Sequence, residues 1–162
     1  MFIIDGHNLI GSGLVPGIRL DQEDDEWRLV QWLRGRQPRL RQAIVVVFDG
    51  VVPGGWSRSL SGGGVQVIFA AAHRSKADNV ILNRLRAEMP RSNVTVVTND
   101  AVLRQAVLGL RAQVMRADEF LARINRTPKR RSAPLPSARP EPQLSPKELE
   151  EWLRLFGKDD GD

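Results

Sequence analysis

The chain has 162 residues, no cysteine and only two histidines, a length that suits one domain with a substantial core. The absence of cysteine excludes disulfides, thiol catalysis and thiolate metal sites, and two histidines are too few for a histidine-built zinc site. Any bound metal would be held mainly by oxygen atoms, which favours Mg²⁺ or Mn²⁺.

Basic side chains outnumber acidic ones by 24 to 19, which gives a net charge of +5. Arginine predominates, and its guanidinium group makes bidentate contacts with phosphate, so a polyanionic partner is one interpretation. Codon bias in a GC-rich genome would produce the same excess, and charge alone leaves both open. No apolar run is long enough to span a membrane, and no basic leader precedes the first strand, so we expect a cytoplasmic protein.

Apolar runs and helical patterns alternate along the first 125 residues. The runs predict strands at 2–5, 43–48, 65–69, 94–98 and 112–115. Helical spacing predicts helices that end near residue 35 and that cover 76–89, 101–110 and 117–124. Residues 6–17 and 51–64 are rich in glycine and are predicted to be loops, and the acids of 21–26 are interpreted as a solvated helix start. Alternating strands and helices predict a mainly parallel sheet between two layers of helices, an α/β/α sandwich.

The composition changes after residue 125. Residues 126–144 are basic and rich in proline, and they are predicted to form an extended, flexible linker. Residues 145–157 predict a short amphipathic helix with Ser145 as its N-cap, and 158–162 form an acidic tail. Because so short a helix is marginal alone, we expect it to dock on its own domain, on a second copy or on another molecule.

Acidic residues follow the carboxyl ends of the predicted strands. Asp5, Asp49 and Asp100 lie at or just past these ends, and Asp78 lies in the first turn of the helix after the third strand. Each acid alone could be a turn former or a helix cap. In a parallel sheet, however, the strand ends share one edge, where ligands bind. We therefore predict a shared metal site with Asp5, Asp78 and Asp100 as ligands, and with Asp49 as a further ligand or a water-orienting base.

Neutral polar residues lie beside these acids. Asn8 and Asn99 could contact phosphate or hold a ligand without adding charge, and Thr98 could add a hydroxyl. His7 and His73 are interpreted as RNA contacts or ordinary residues of this edge, not as catalytic groups.

Four short motifs, in this order, resemble the NYN branch of the PIN-like nucleases, and most closely its YacP-like bacterial group. They are Ile3-Ile4-Asp5-Gly6-His7-Asn8, Val46-Val47-Phe48-Asp49-Gly50, Lys76-Ala77-Asp78-Asn79 and Val97-Thr98-Asn99-Asp100. The resemblance covers about residues 1–125. It implies a PIN-like fold and a metal-dependent endoribonuclease that cleaves mRNA on ribosomes, with Asp5, Asn8, Asp49, Asp78 and Asp100 in the acidic pocket. The family often has a second acid where this chain has Asn79, so the resemblance leaves one or two metal ions open.

Two functions from different classes follow. The first is a metal-dependent endoribonuclease whose activated water attacks an RNA phosphodiester. The second is a non-catalytic RNA- or ribosome-binding module that keeps the fold and lacks strong metal binding, as Asn79 and the basic tail would suggest. A phosphatase with Asp5 as nucleophile is disfavoured, because that chemistry uses a second acid two residues on, where this chain has His7.

Overall fold

The computed structural model describes residues 1–51, 54–71, 76–126 and Glu150. The chain divides after Pro128 into two units, and all the elements given below belong to the first. His73 lies outside the described residues, as do the predicted linker apart from Arg126, the predicted C-terminal helix apart from Glu150, and the acidic tail 158–162. Within the described ranges, no helix combines the length and the apolar character that crossing a membrane requires.

The first unit alternates strands and helices, as predicted. Its strands are β1 (Phe2–Asp5), β2 (Ile44–Val51), β3 (Gly55–Trp56), β4 (Val65–Ala71), β5 (Thr95–Val97) and β6 (Gln113–Met115). Its helices are α1 (Gly6–Gly11), α2 (Asp25–Arg34), α3 (Gln37–Leu40), α4 (Ala77–Ala87), α5 (Ala101–Gly109) and α6 (Ala117–Asn125), and a 3₁₀ turn spans Arg91–Asn93.

The six strands form one sheet in the order β3-β4-β2-β1-β5-β6. All neighbours are parallel except β3, which pairs antiparallel with β4 at the edge. The chain builds outward from β1 through β2 to β4 on one side, and β5 and β6 lie on the other side. The strand order therefore reverses between β1 and β5, which is where open α/β sheets bind ligands at the carboxyl edge.

Side chains of the central strands alternate between two apolar cores. Phe2, Ile4 and Phe48 belong to one core, whereas Ile3 and Val47 belong to the other. Every residue of β1 is buried, as expected of a strand covered by helices on both faces. The predicted three-layer α/β/α sandwich is confirmed.

Two glycine-rich segments contain more structure than the sequence predicted. The first predicted loop begins with helix α1, whose N-cap Asp5 accepts a hydrogen bond from the backbone N–H of Asn8 at 3.3 Å. The second contains β3, and the helix α3 was not predicted either. Both helices are shorter than two turns, too short for apolar periodicity to indicate them.

Strand β2 continues through Asp49-Gly50, where the sequence predicted its end. Its pairing with β4 shifts register there, so Asp49 and Gly50 together lie opposite the single residue Ala70. Gly50 has φ +98°, a conformation that favours glycine. Asp-Gly therefore forms a β-bulge within the strand, and such bulges commonly re-aim a side chain beside a site.

Candidate active site

Four predicted acids lie at the carboxyl edge of the sheet. Asp5 is the last residue of β1, Asp49 lies in the bulge of β2, Asp78 is in the first turn of α4, and Asp100 is the N-cap of α5. Burial is the largest cause that raises the pKa of Asp5 and of Asp78. The acids are also close enough for their charges to interact, since Asp78 and Asp49 add to the shift of Asp5, and Asp100 and Asp49 add to that of Asp78. The fold thus assembles the four acids around one edge.

Asp5 is the most buried of the four, with 6% of its surface exposed. Burial is the main cause that raises its pKa from 3.8 to about 6, and Asp78 and Asp49 add to the shift. The hydrogen bond from the N–H of Asn8 opposes it. A cation beside Asp5 would reverse this balance, because an opposite charge favours the carboxylate form.

Asp49 connects two elements of the site. Its Oδ1 accepts a hydrogen bond from the backbone N–H of Ala77 at 2.6 Å. Lys76, the N-cap residue of α4, makes no capping bond with its own side chain, so a residue of β2 caps that helix instead. One oxygen of Asp49 thus holds the turn that carries Asp78.

The polar neighbours of the acids bond to the backbone. The amide oxygen of Asn8 accepts from the N–H of Asn99 at 2.8 Å, and that of Asn99 accepts from the N–H of Ala117 at 3.0 Å. The hydroxyl of Thr98, which is buried, accepts from the N–H of Asp100 at 3.1 Å. The two asparagines thus connect α1, the segment after β5 and the start of α6, and Thr98 fixes the turn that leads to Asp100. Asn79 is exposed and makes no side-chain hydrogen bond to another described residue.

No three of the four acids bring their ligand atoms within 4.8 Å of one another. Among the described residues, the one group of three potential ligands whose atoms all lie within 4.8 Å of one another is His7, Asp25 and Glu26, not the four acids. The four acids are compatible with a divalent cation, since Mg²⁺ commonly takes only one or two carboxylates and keeps several waters.

His7 links helix α2 to the site. Its Nδ1 lies 3.3 Å from the backbone nitrogen of Asp49, and its Nε2 lies 3.3 Å from Oε1 of Glu26. The ring packs against Phe48, with their centroids 5.2 Å apart. The position of His7 between Asp5 and Asn8 in the first motif indicated that it lies beside the acids. No local sequence pattern indicated that Glu26 would contact it.

The interpretation of residues 21–26 as a solvated helix start is wrong for its last two acids. Asp25 is buried, and this burial, together with the neighbouring Glu26, raises its pKa. Asp21 and Asp24 are exposed and pair with nearby arginines, as a solvated segment would. The helix packs on α1, and that packing, rather than the local sequence, decides which acids face inward.

Comparison with known families identifies the kind of domain. The family described as the YacP-like NYN domain matches residues 2–156. The chain belongs to this family. The match continues beyond residue 125, so the family likeness is longer than the motifs alone indicated. NYN domains are nuclease-type domains, which assigns this chain an RNA-related function.

Two solved structures share the fold. The crystal structure of Rae1 (YacP) from Bacillus subtilis is 24% identical with a TM-score of 0.63, and the match covers 76% of this chain and 72% of that one. The W164L mutant of the same protein is 21% identical with a TM-score of 0.57, covering 76% and 73%. At this identity the likeness supports the fold alone. No curated protein sequence matches the chain.

Proposed function

We propose that the protein is a metal-dependent endoribonuclease and that Asp5, Asp49, Asp78 and Asp100 form its active site. The observation that carries the proposal is the meeting of these four acids at the carboxyl edge, beside the reversal of strand order between β1 and β5. Membership of a nuclease-type family supports it.

The donor set suits a hard divalent cation. Burial is the main cause that raises the pKa of Asp5 and of Asp78, and the negative charges of neighbouring acids raise both further. Within the described ranges, none of the four acids forms an ion pair with lysine or arginine. Asp5, Asp78 and Asp100 would hold Mg²⁺ or Mn²⁺, with waters completing the shell, because these cations commonly keep several waters.

The reaction would be hydrolysis of an RNA phosphodiester. When bound, the cation would lower the pKa of a water and stabilise charge on the phosphate. The oxygen of the water bonds to phosphorus, the bond to the 3′ oxygen breaks, and that oxygen takes up a proton, which leaves a 5′-phosphate and a 3′-hydroxyl. Asp49 has one carboxylate oxygen beyond the capping bond, and this oxygen would orient the water.

The substrate would enter from the open carboxyl edge. Lys76 is exposed at the start of α4, and its positive charge partly opposes the rise in the pKa of Asp78 that burial and the neighbouring acids cause. It therefore lies where it could contact a phosphate of single-stranded RNA or mRNA. Binding of mRNA at the ribosome, in the cytoplasm, completes the proposal and rests on the family resemblance.

Cleavage assays test the proposal directly. Purified protein is incubated with single-stranded RNA and Mn²⁺ or Mg²⁺, alongside Asp5→Asn and Asp78→Asn. Both variants should lose cleavage and bind Mn²⁺ more weakly in calorimetry, whereas Asp21→Asn, whose ion pair is exposed and worth little, should match the wild type. Unchanged cleavage in both active-site variants would refute the assignment.

Two observations favour one second candidate, a non-catalytic RNA- or ribosome-binding module: no three of the four acids have ligand atoms within 4.8 Å of one another, and Asn79 stands where the family often has a second acid. Salt-dependent RNA binding by the wild type, with no calorimetric signal for Mg²⁺ or Mn²⁺, would support this candidate. Tight metal binding that is abolished by Asp100→Asn would exclude it.

A further inference from the structure

Strand β1 ends at Asp5, and this leaves the backbone N–H of Asp49 without a regular partner in the sheet. The N–H of Ile44 bonds on the β4 side, so by alternation the N–H of Asp49 faces β1, whose pairing with β2 stops at Val47. Such an N–H needs another acceptor. Nδ1 of His7 takes this role, 3.3 Å from the nitrogen of Asp49.

This bond assigns the proton of the imidazole ring. Because Nδ1 accepts from an N–H group, the proton of the neutral ring lies on Nε2. Nε2 faces Oε1 of Glu26 at 3.3 Å, so it donates to a carboxylate. Both ring nitrogens then have the partner they need. A protonated Nε2 is a hydrogen-bond donor and not a metal ligand, even though His7, Asp25 and Glu26 each offer a potential ligand atom within 4.8 Å of the other two.

We infer that His7, oriented by Glu26, is a positioning residue that sets the place of Asp49 in the active site; the inference rests on the proposed function. Because Asp49 accepts a hydrogen bond from Ala77, the position of Asp49 also affects the turn of α4 that carries Asp78. Displacing the bulge would therefore move two of the four acids relative to Asp5.

The ring has little room to take another position. Phe48, which is fully buried, lies against it at 5.2 Å, and on its other side Phe48 stacks on Phe69 at 5.5 Å. A Cβ atom on Gly6 would lie 2.3 Å from the ring of Phe48. Packing thus sets the place of the imidazole, and Glu26 sets its orientation.

Isosteric substitutions separate the two ends of the imidazole. His7→Asn places an amide oxygen near Nδ1, so it can still accept from Asp49, whereas His7→Gln places its amide near Nε2 and leaves the N–H of Asp49 unpaired. Glu26→Gln keeps an acceptor for Nε2, and Glu26→Leu removes it. Glu23→Ala, an exposed acid of the same segment, is the matched control.

We expect the substitutions to change catalysis and metal binding, which depend on the acids, rather than the binding of RNA. In His7→Gln, kcat should fall by roughly 10–100-fold and Mn²⁺ should bind more weakly, while KM for RNA stays within about threefold, as for partners that orient a metal-site group. His7→Asn and Glu26→Gln should keep most activity. Glu26→Leu should lose activity, and the double variant His7→Gln/Glu26→Leu should be no worse than His7→Gln.

Hydrogen exchange by NMR supplies a readout that needs neither metal nor RNA. The amide of Asp49 should exchange faster in His7→Gln than in the wild type and remain protected in His7→Asn. Equal exchange in all three proteins, or equal loss of kcat in His7→Asn and His7→Gln, would overturn the inference. If the wild type neither cleaves RNA nor binds Mn²⁺, the proposed function fails, while the exchange of this amide still decides whether His7 holds the bulge.

Discussion

The carboxylate of Asp49 and the backbone N–H of Ala77 join strand β2 to the first turn of α4 across 2.6 Å. The same carboxylate is proposed to orient water, so it has a structural and a chemical role. A cap needs only an acceptor oxygen, whereas the chemistry needs the charge. Substitutions can therefore separate the two roles.

Asp49→Asn keeps an oxygen that can accept from Ala77 and removes the charge. We expect its free energy of unfolding to stay within about 0.5 kcal/mol of the wild type, because an uncharged cap serves nearly as well, and its cleavage rate to fall at least about tenfold. Asp49→Ala should lose both roles, with a further loss of about 1 kcal/mol of stability. Urea unfolding and cleavage assays measure the two effects, and equal destabilisation in both variants would contradict the capping role.

Asp5→Asn should make the metal-free protein more stable at neutral pH. The pKa of Asp5 is about 6 in the folded protein, against 3.8 for its ordinary value. The folded state therefore binds more protons between these values, and stability falls as pH rises through this window. Asparagine cannot ionise and can still accept a hydrogen bond from the N–H of Asn8. The free-energy cost of burying a charged carboxylate at this position therefore disappears.

The gain in Asp5→Asn should reach roughly 1–3 kcal/mol above pH 7 and vanish below about pH 4. Urea unfolding in EDTA across this range measures it, with the exposed Asp21→Asn as the control. Mn²⁺ should then stabilise the wild type and not the variant. A stability difference that does not change with pH would show that Asp5 carries no such penalty.

Gly6→Ala should destabilise the protein through its contact with Phe48. An added Cβ atom would lie 2.3 Å from the Phe48 ring, which is fully buried and supports His7. We expect a loss of about 1–3 kcal/mol, typical of overpacking, and lower activity as the ring shifts. Gly109→Ala is the control, since a Cβ atom there meets nothing within 4 Å. Thermal unfolding measures both variants. Equal melting temperatures for the two variants would contradict a close contact between residue 6 and Phe48.

Lys76→Met should weaken RNA binding with little effect on stability. Lys76 is exposed beside Asp78 at the proposed entrance, and loss of one phosphate contact should lower the slope of log K against log salt by about 1. Arg39→Met is the matched control, because Arg39 is exposed on α3, which leads to the start of β2 at the opposite edge. Fluorescence titrations with RNA at several salt concentrations measure these slopes. Equal slopes for the two variants would contradict a phosphate contact by Lys76.

The pattern along the chain was sufficient to predict the fold and to place the acids. Buried β-branched runs that alternate with helical spacing indicate a parallel sheet, and parallel strands bring their carboxyl ends to one edge. Asp5, Asp49, Asp78 and Asp100 could therefore be placed together before any contact was known. The short elements α1, α3 and β3 were missed, because they carry too few residues to show a period.

The sequence by itself determined the sheet, its edge and the acids that meet there. Only the tertiary structure decided how those acids are held. The bonds between Ala77 and Asp49, between Asp49 and His7 and between His7 and Glu26 join residues 28, 42 and 19 positions apart. They depend on the point where β1 ends beside β2 and on the inward-facing side of α2. Periodicity places whole strands and helices, whereas a bulge and a single ring orientation follow from how the folded chain satisfies its unpaired backbone groups.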